Sequence, residues 1–157
     1  MSRYRFVNSW VIEADRETLW RAIEDIEEGG WWPGGSWSKI RDGREDGLGD
    51  VYRSEFRAGP LYTLSFEAAI VGRAKPWLLE LAASGELEGR GTCSFRERDG
   101  RTEVHFIWEV RVNKSWMRLA TPLLRRFFVR NHDRLMERGV RGVCRHLGVR
   151  LAGSGPA

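Results

Sequence analysis

The sequence predicts an α+β protein: a curved antiparallel sheet of about seven strands wrapped around a long C-terminal helix, with two short helices after the first strand. Three observations predict it. Apolar residues alternate along residues 4 to 13, as in a strand with one buried face. Further segments between residues 38 and 112 read as strands separated by short turn signals, which makes neighbouring strands antiparallel. Residues 115 to 147 then carry apolar side chains at helical spacing, and such a stripe needs a sheet to cover.

The elements follow in order. Tyr4, Phe6, Asn8, Trp10 and Ile12 share one face of the first strand, with Arg5, Val7, Ser9 and Val11 on the other. Ala14-Asp15 leads into a helix with Leu19, Trp20, Ile23 and Ile26 at helical spacing; Asp15 is a good N-cap and Gly29-Gly30 a good stop. Trp31-Trp32-Pro33-Gly34-Gly35-Ser36-Trp37 reads as a loop or a single helical turn. So much aromatic surface must cover something rather than stand in water. Ser38 to Asp42 is a short strand before the turn Asp46-Gly47-Leu48-Gly49. Val51 to Ala58 and Leu61 to Val71 flank a hairpin signal, Gly59-Pro60, and in the second of them Tyr62, Leu64, Phe66, Ala68 and Ile70 share a face. Trp77 to Ala83 and Leu87 to Arg96 come next, with Gly85, Gly89 and Gly91 suiting a sharply bent strand.

Asp99-Gly100 turns the chain into Thr102 to Val112. There Val104, Phe106, Trp108, Val110 and Val112 oppose Glu103, His105, Glu109 and Arg111. Ser115 is the N-cap expected for the last helix, and Pro122 marks a kink or a break before its main body. Residues 1–150 read as a single domain and 151–157 as a disordered tail.

Composition narrows the function. The 157 residues carry 26 Lys and Arg against 22 Asp and Glu, a net charge of +4. No apolar run approaches the roughly 20 residues that span a bilayer, and the N-terminus lacks a signal-peptide pattern, so a cytoplasmic protein without stable membrane insertion is expected. Cys93 and Cys144 stand alone, and His105, His132 and His146 are scattered, so neither a metal nor a cofactor is expected. Much of the positive charge falls on one side of the last helix, at Arg118, Arg125, Arg126, Arg130, Arg134, Arg138, Arg141 and Arg145. Arginine stems covering apolar surface explain this better than nucleic-acid binding, since no recognition motif accompanies the charge. A monomer or homodimer is expected.

Several phrases resemble the START-like superfamily known as SRPBCC, the helix-grip fold, and within it the polyketide cyclase/dehydrase-like group. They are Ala14-Asp15-Arg16-Glu17-Thr18-Leu19-Trp20 after the opening strand, Trp31-Trp32-Pro33, Leu61-Tyr62-Thr63-Leu64, Gly85-Glu86-Leu87-Glu88-Gly89-Arg90-Gly91, the Trp108 strand, and Trp116-Met117 through Asn131-His132-Asp133. The resemblance covers nearly the whole chain and implies a deep cavity between helix and sheet. That superfamily includes aromatases and cyclases, lipid and sterol carriers and hormone receptors, so the resemblance does not choose among them.

The inward parities give the candidate site: Asn8, Trp10, Trp32, Tyr62, Leu64, Phe66, Trp108, Phe128, Asn131, His132, Leu135 and Met136. Eight Trp and seven Phe either fill the interior or line a pocket. Polar residues at core-facing positions favour the pocket, and its expected occupant is a small hydrophobic molecule such as a lipid, polyketide or aromatic metabolite. A second reading is a cyclase, aromatase or dehydratase, with His132 as acid/base and Tyr62 or Asn131 orienting a carbonyl. The bland alternative for Asn131 and His132 is hydrogen bonding within the protein. A third reading is a filled core with a partner docked on the arginine face or the Trp31-Trp32 loop. No serine or cysteine is paired with an evident base, and no phosphate-binding glycine loop precedes a helix.

Overall fold

The computed structural model describes residues 3–57, 62–113 and 122–156. In chain order these form β1 (Arg3–Ile12), α1 (Arg16–Glu24), α2 (Ile26–Gly29), β2 (Gly35–Arg41), β3 (Val51–Arg57), β4 (Thr63–Ala74), β5 (Leu78–Gly85), β6 (Leu87–Arg98), β7 (Arg101–Val112), α3 (Pro122–Leu147) and β8 (Leu151–Pro156). The hairpin turn expected at Gly59-Pro60, and Ser115, Trp116, Met117 and Ala120 at the start of the last helix, lie outside the described residues. Pro122 is the first described residue of α3.

One antiparallel sheet runs β2-β3-β4-β5-β6-β7-β1-β8. Chain neighbours pair from β2 to β7, and β1 closes against β7, with Phe6 opposite Trp108 and Trp10 opposite Val104. Register shifts interrupt the ladders at Lys39/Arg41, Ile70/Gly72 and Val11/Ile12, and irregularities of this kind bend and twist a strand. Gly89, at φ +153°, lets β6 cross close to β7: a Cβ there would stand 1.9 Å from the Glu109 carbonyl oxygen. No side chain fits that approach.

Local signals set the helices. The Asp15 carboxylate accepts from the Thr18 backbone N–H at 2.9 Å and caps α1, which buries Leu19, Trp20 and Ala22. Burying a side chain the size of Leu19 contributes about 1.5–3 kcal/mol. Gly30, left-handed at φ +58°, ends α2. Along α3, Phe128, Leu135, Met136, Val140 and Val143 are buried while Arg125, Arg126, Arg130, Arg134, Arg138, Arg141 and Arg145 are exposed. The core has two parts, one around Phe66, Trp108, Phe128 and Leu135 and one around Ile12, Trp20, Phe95 and Val143, with Trp32 and Phe106 packed against both. Among the described residues no helix is long and apolar enough to cross a membrane.

Two expectations need correction. Residues 151 to 156 are not a structureless tail: they form β8 on the free edge of β1, with Ser9 opposite Gly155. Strand pairing uses backbone groups, so a segment without an apolar face can still cover an exposed edge. Likewise Gly35 to Trp37 are not loop. They begin β2, with Trp37 opposite Ser54.

Candidate ligand-binding cavity

The sheet and α3 border a cavity of about 870 Å3 that opens to the surface, inside the roughly 300–1,000 Å3 range of small-molecule sites. The filled-core reading therefore fails. The rings line the space because they pack against one another along its wall. Trp32 meets Phe56 edge-on (centroids 5.3 Å, planes 71°), Phe56 stacks on Phe66 (5.8 Å, 11°), and Phe66 leans on Trp108 (6.1 Å, 43°). Each such pair adds about 0.5–1.5 kcal/mol beyond area burial.

The segment Trp31-Trp32-Pro33 is a strap tied to the helices on either side. Trp31 Nε1 donates to the Ala22 carbonyl of α1 at 2.9 Å, and Trp32 Nε1 donates to the Leu135 carbonyl of α3 at 3.1 Å. Two glycines of α3 make room for it. A Cβ at Gly139 would stand 2.5 Å from the Trp32 indole, and one at Gly142 would stand 1.9 Å from the Trp31 carbonyl oxygen. Both tryptophans line the cavity.

His132 is the most constrained polar group in the wall. Its ring stacks on Phe6 with centroids 3.6 Å apart, and both ring nitrogens are buried without a hydrogen-bond partner among the described residues. Burial pushes its pKa down to about 4, so the imidazole is neutral near pH 7. Asp133 Oδ1 lies 3.7 Å from Nδ1, but that carboxylate is 60% exposed. Water screens so exposed a charge, and burial of the imidazole wins. Asn131 Nδ2 donates to the Tyr62 hydroxyl at 3.3 Å, and burial is the largest influence raising the Tyr62 pKa. Cys93 also lines the cavity, where burial pushes its thiol up to about 12. Among the described residues, Ser54 Oγ and Trp20 Nε1 of the wall are also buried without a partner.

Of the twelve candidate positions, the structure brings ten to the cavity: Trp10, Trp32, Tyr62, Leu64, Phe66, Trp108, Phe128, His132, Leu135 and Met136. Asn131 does not line it and stands behind Tyr62, consistent with hydrogen bonding within the protein. Asn8 does not reach it either, and its side-chain oxygen is buried and unpartnered. Sequence reasoning missed Ser54, although its parity with Phe56 signals an inward hydroxyl. It also missed Gly139 and Gly142, whose signal is a pair of glycines in mid-helix. The charged end of the cavity, with Glu24, Lys39, Asp50, Arg73 and Lys75, was not anticipated at all.

On the outer sheet face Ser9 Oγ and His105 Nδ1 lie 2.9 Å apart, while Glu67 and Glu109 are exposed, as their parities require.

No protein-family model and no curated protein sequence matches this chain. Solved structures do match. The protein TTHA0849 from Thermus thermophilus is 15% identical, with a TM-score of 0.74 over 91% of this chain and 96% of that one. The Zhui aromatase/cyclase from Streptomyces sp. R1128 is 12% identical, with a TM-score of 0.69 over 90% and 92%. The di-domain ARO/CYC BexL from the BE-7585A biosynthetic pathway is 18% identical, with a TM-score of 0.69 over 94% of this chain and 51% of that one. At these identities the likeness is one of fold. This chain has the helix-grip fold that these solved structures share.

Proposed function

We propose that this protein binds one small, largely apolar molecule in the cavity between the sheet and α3. A single observation supports the reading most: about 870 Å3 of interior stays open although aromatic rings surround it. Transfer of an apolar guest from water into such a space gains roughly 25 cal/mol per Å2 of surface removed. Unpartnered His132 and Ser54 in the wall add polar groups that a carbonyl or hydroxyl on the guest would satisfy. The test is titration with N-phenyl-1-naphthylamine, a neutral dye that fluoresces in apolar surroundings. Saturable binding of one dye per chain supports the reading. Absence of binding by folded protein overturns it.

A second reading is catalytic, with His132 as acid/base on a bound polyketide-like substrate. Its supports are the placement of His132 in the cavity wall and the aromatase/cyclase named among the matching structures. The low pKa of His132 weakens it, because a base that stays neutral down to about pH 4 takes protons poorly at neutral pH. Turnover of a candidate substrate that survives His132→Ala unchanged removes this assignment.

A further inference from the structure

The cavity has one charged end, and a fault in the sheet builds it. Along β4 the inward residues are Phe66, Ala68 and Ile70, with Ile70 opposite Leu81 of β5. Strict alternation would next turn Gly72 inward and Arg73 outward. The register shift between Ile70 and Gly72 reverses that order. Val71 becomes the extra residue and stands 45% exposed, while Arg73 falls opposite Leu79 and lines the cavity. Bulges re-aim side chains in this way.

The side chain so placed is an underused donor. Its guanidinium carbon lies 5.5 Å from the Trp20 ring centroid, and only 16% of the side chain is exposed. Its one carboxylate partner among the described residues is Glu24 of α1, which also reaches Lys75 Nζ at 3.4 Å. Lys75 is in turn 3.9 Å from Glu17. The other acids at this end have partners of their own. Asp50 accepts from the Gly43 N–H at 2.8 Å and faces Lys39 at 3.3 Å. Asp46 accepts from the Leu48 N–H at 3.0 Å and pairs with Arg44 at 3.5 Å, and Glu45 is exposed. An arginine carries five N–H donors, so a half-shared carboxylate leaves several unmatched. The indole N–H of Trp20, whose ring the guanidinium overlies, is buried without an acceptor among the described residues. Arg73 thus keeps guanidinium donors beyond those that Glu24 takes.

We infer that this end takes the anionic end of an amphipathic guest, a carboxylate or comparable oxyanion held on Arg73, while the apolar body lies along the aromatic wall. The inference rests on the binding reading above and names the chemical class of its guest. Charge-assisted hydrogen bonds to a guanidinium are the strong kind, and the planar fork suits an oxyanion.

A matched pair of dyes tests it. The sulfonate 8-anilino-1-naphthalenesulfonate has the same aromatic body as neutral N-phenyl-1-naphthylamine, and competition between the two reports on one site. The sulfonate should bind about tenfold more tightly or better, as one charge-assisted contact implies. Arg73→Gln should erase that advantage, lowering affinity for the sulfonate far more than affinity for the neutral dye. Glu24→Gln, which removes the competing carboxylate, should strengthen sulfonate binding, so the two substitutions act in opposite directions. Arg130→Gln with Arg134→Gln, on the exposed face of α3, should change neither dye. The inference is overturned if the sulfonate advantage is missing, survives Arg73→Gln, falls with Glu24→Gln, or disappears with the α3 pair. Binding of the sulfonate alone, through Arg73, keeps this inference and overturns the apolar-guest reading. A folded protein that takes neither dye overturns both.

Discussion

The imidazole of His132 lies flat against the phenyl ring of Phe6, with centroids 3.6 Å apart and planes 13° from parallel. Contact with a ring face on an apolar wall removes water from the imidazole without supplying a partner for either nitrogen. The neutral form is favoured as a result.

Stability should therefore fall in acid, with a defined window. The folded-state pKa of His132 is depressed to about 4 from an ordinary 6.5. Above pH 6.5 both folded and unfolded chains hold it neutral, and it adds no pH dependence. Between about 6.5 and 4 only the unfolded chain takes the proton, so stability is lost as pH falls, by on the order of 3 kcal/mol in all. Urea unfolding of wild type and His132→Leu at several pH values checks this. The stability difference between them should shift in favour of His132→Leu as pH drops from about 7 to about 4.5. A difference that does not vary with pH contradicts it.

Gly142→Ala should destabilise the protein although alanine is the better helix former. Propensity alone favours alanine by about 1 kcal/mol. Against that, the new methyl would sit 1.9 Å from the Trp31 carbonyl oxygen, a backbone atom of the strap. Overpacking of this kind costs about 1–3 kcal/mol, and here backbone must move. A net loss in denaturant unfolding is expected. A gain in stability would show that the strap does not sit as closely as described.

Enlarging Ala68 should close the cavity. Ala68 is buried on β4 and lines the space between Phe66 and Ile70 along its strand. Ala68→Phe places a ring where the guest would lie. Affinity for the neutral dye should drop more than about tenfold, while the melting temperature stays near wild type, because space rather than packed atoms receives the ring. Unchanged dye affinity in the folded variant would locate binding elsewhere.

Thr102→Val should cost about 1–3 kcal/mol with no effect on dye binding. The Thr102 hydroxyl is fully buried and donates to the Ala14 carbonyl at 2.8 Å, tying the lead-in of α1 to β7. The isosteric change leaves that carbonyl without its donor. Chemical denaturation reads the first effect and dye titration the second. A neutral effect on stability would mean the carbonyl finds another partner.

Much of this site was legible in the residue order, because alternation and helical spacing fix which way a side chain points once an element is regular. Phe66 and Trp108 on their strands, and Phe128, His132 and Leu135 on the last helix, needed nothing more. Illegible features depend on departures from regularity. The bulge that turns Arg73 inward leaves no mark in alternation, since an extra residue looks like any other. Strand β8 was hidden because its pairing is carried by backbone, not by an apolar pattern. Asn8 shares the parity of Phe6 and Trp10 yet does not reach the cavity, since parity sets the face of a strand and not what covers each position on it.

The location of a guest tests the central claim most directly. Crystals grown with 1-bromonaphthalene, an apolar ring system carrying an anomalous scatterer, would report the bromine position without reference to any assumed pose. The account predicts one strong anomalous peak inside the cavity, between the sheet residues Phe66 and Trp108 and the helix residues His132 and Leu135. Bromine found only on the outer surface at saturating concentration, with the interior unchanged, would contradict it.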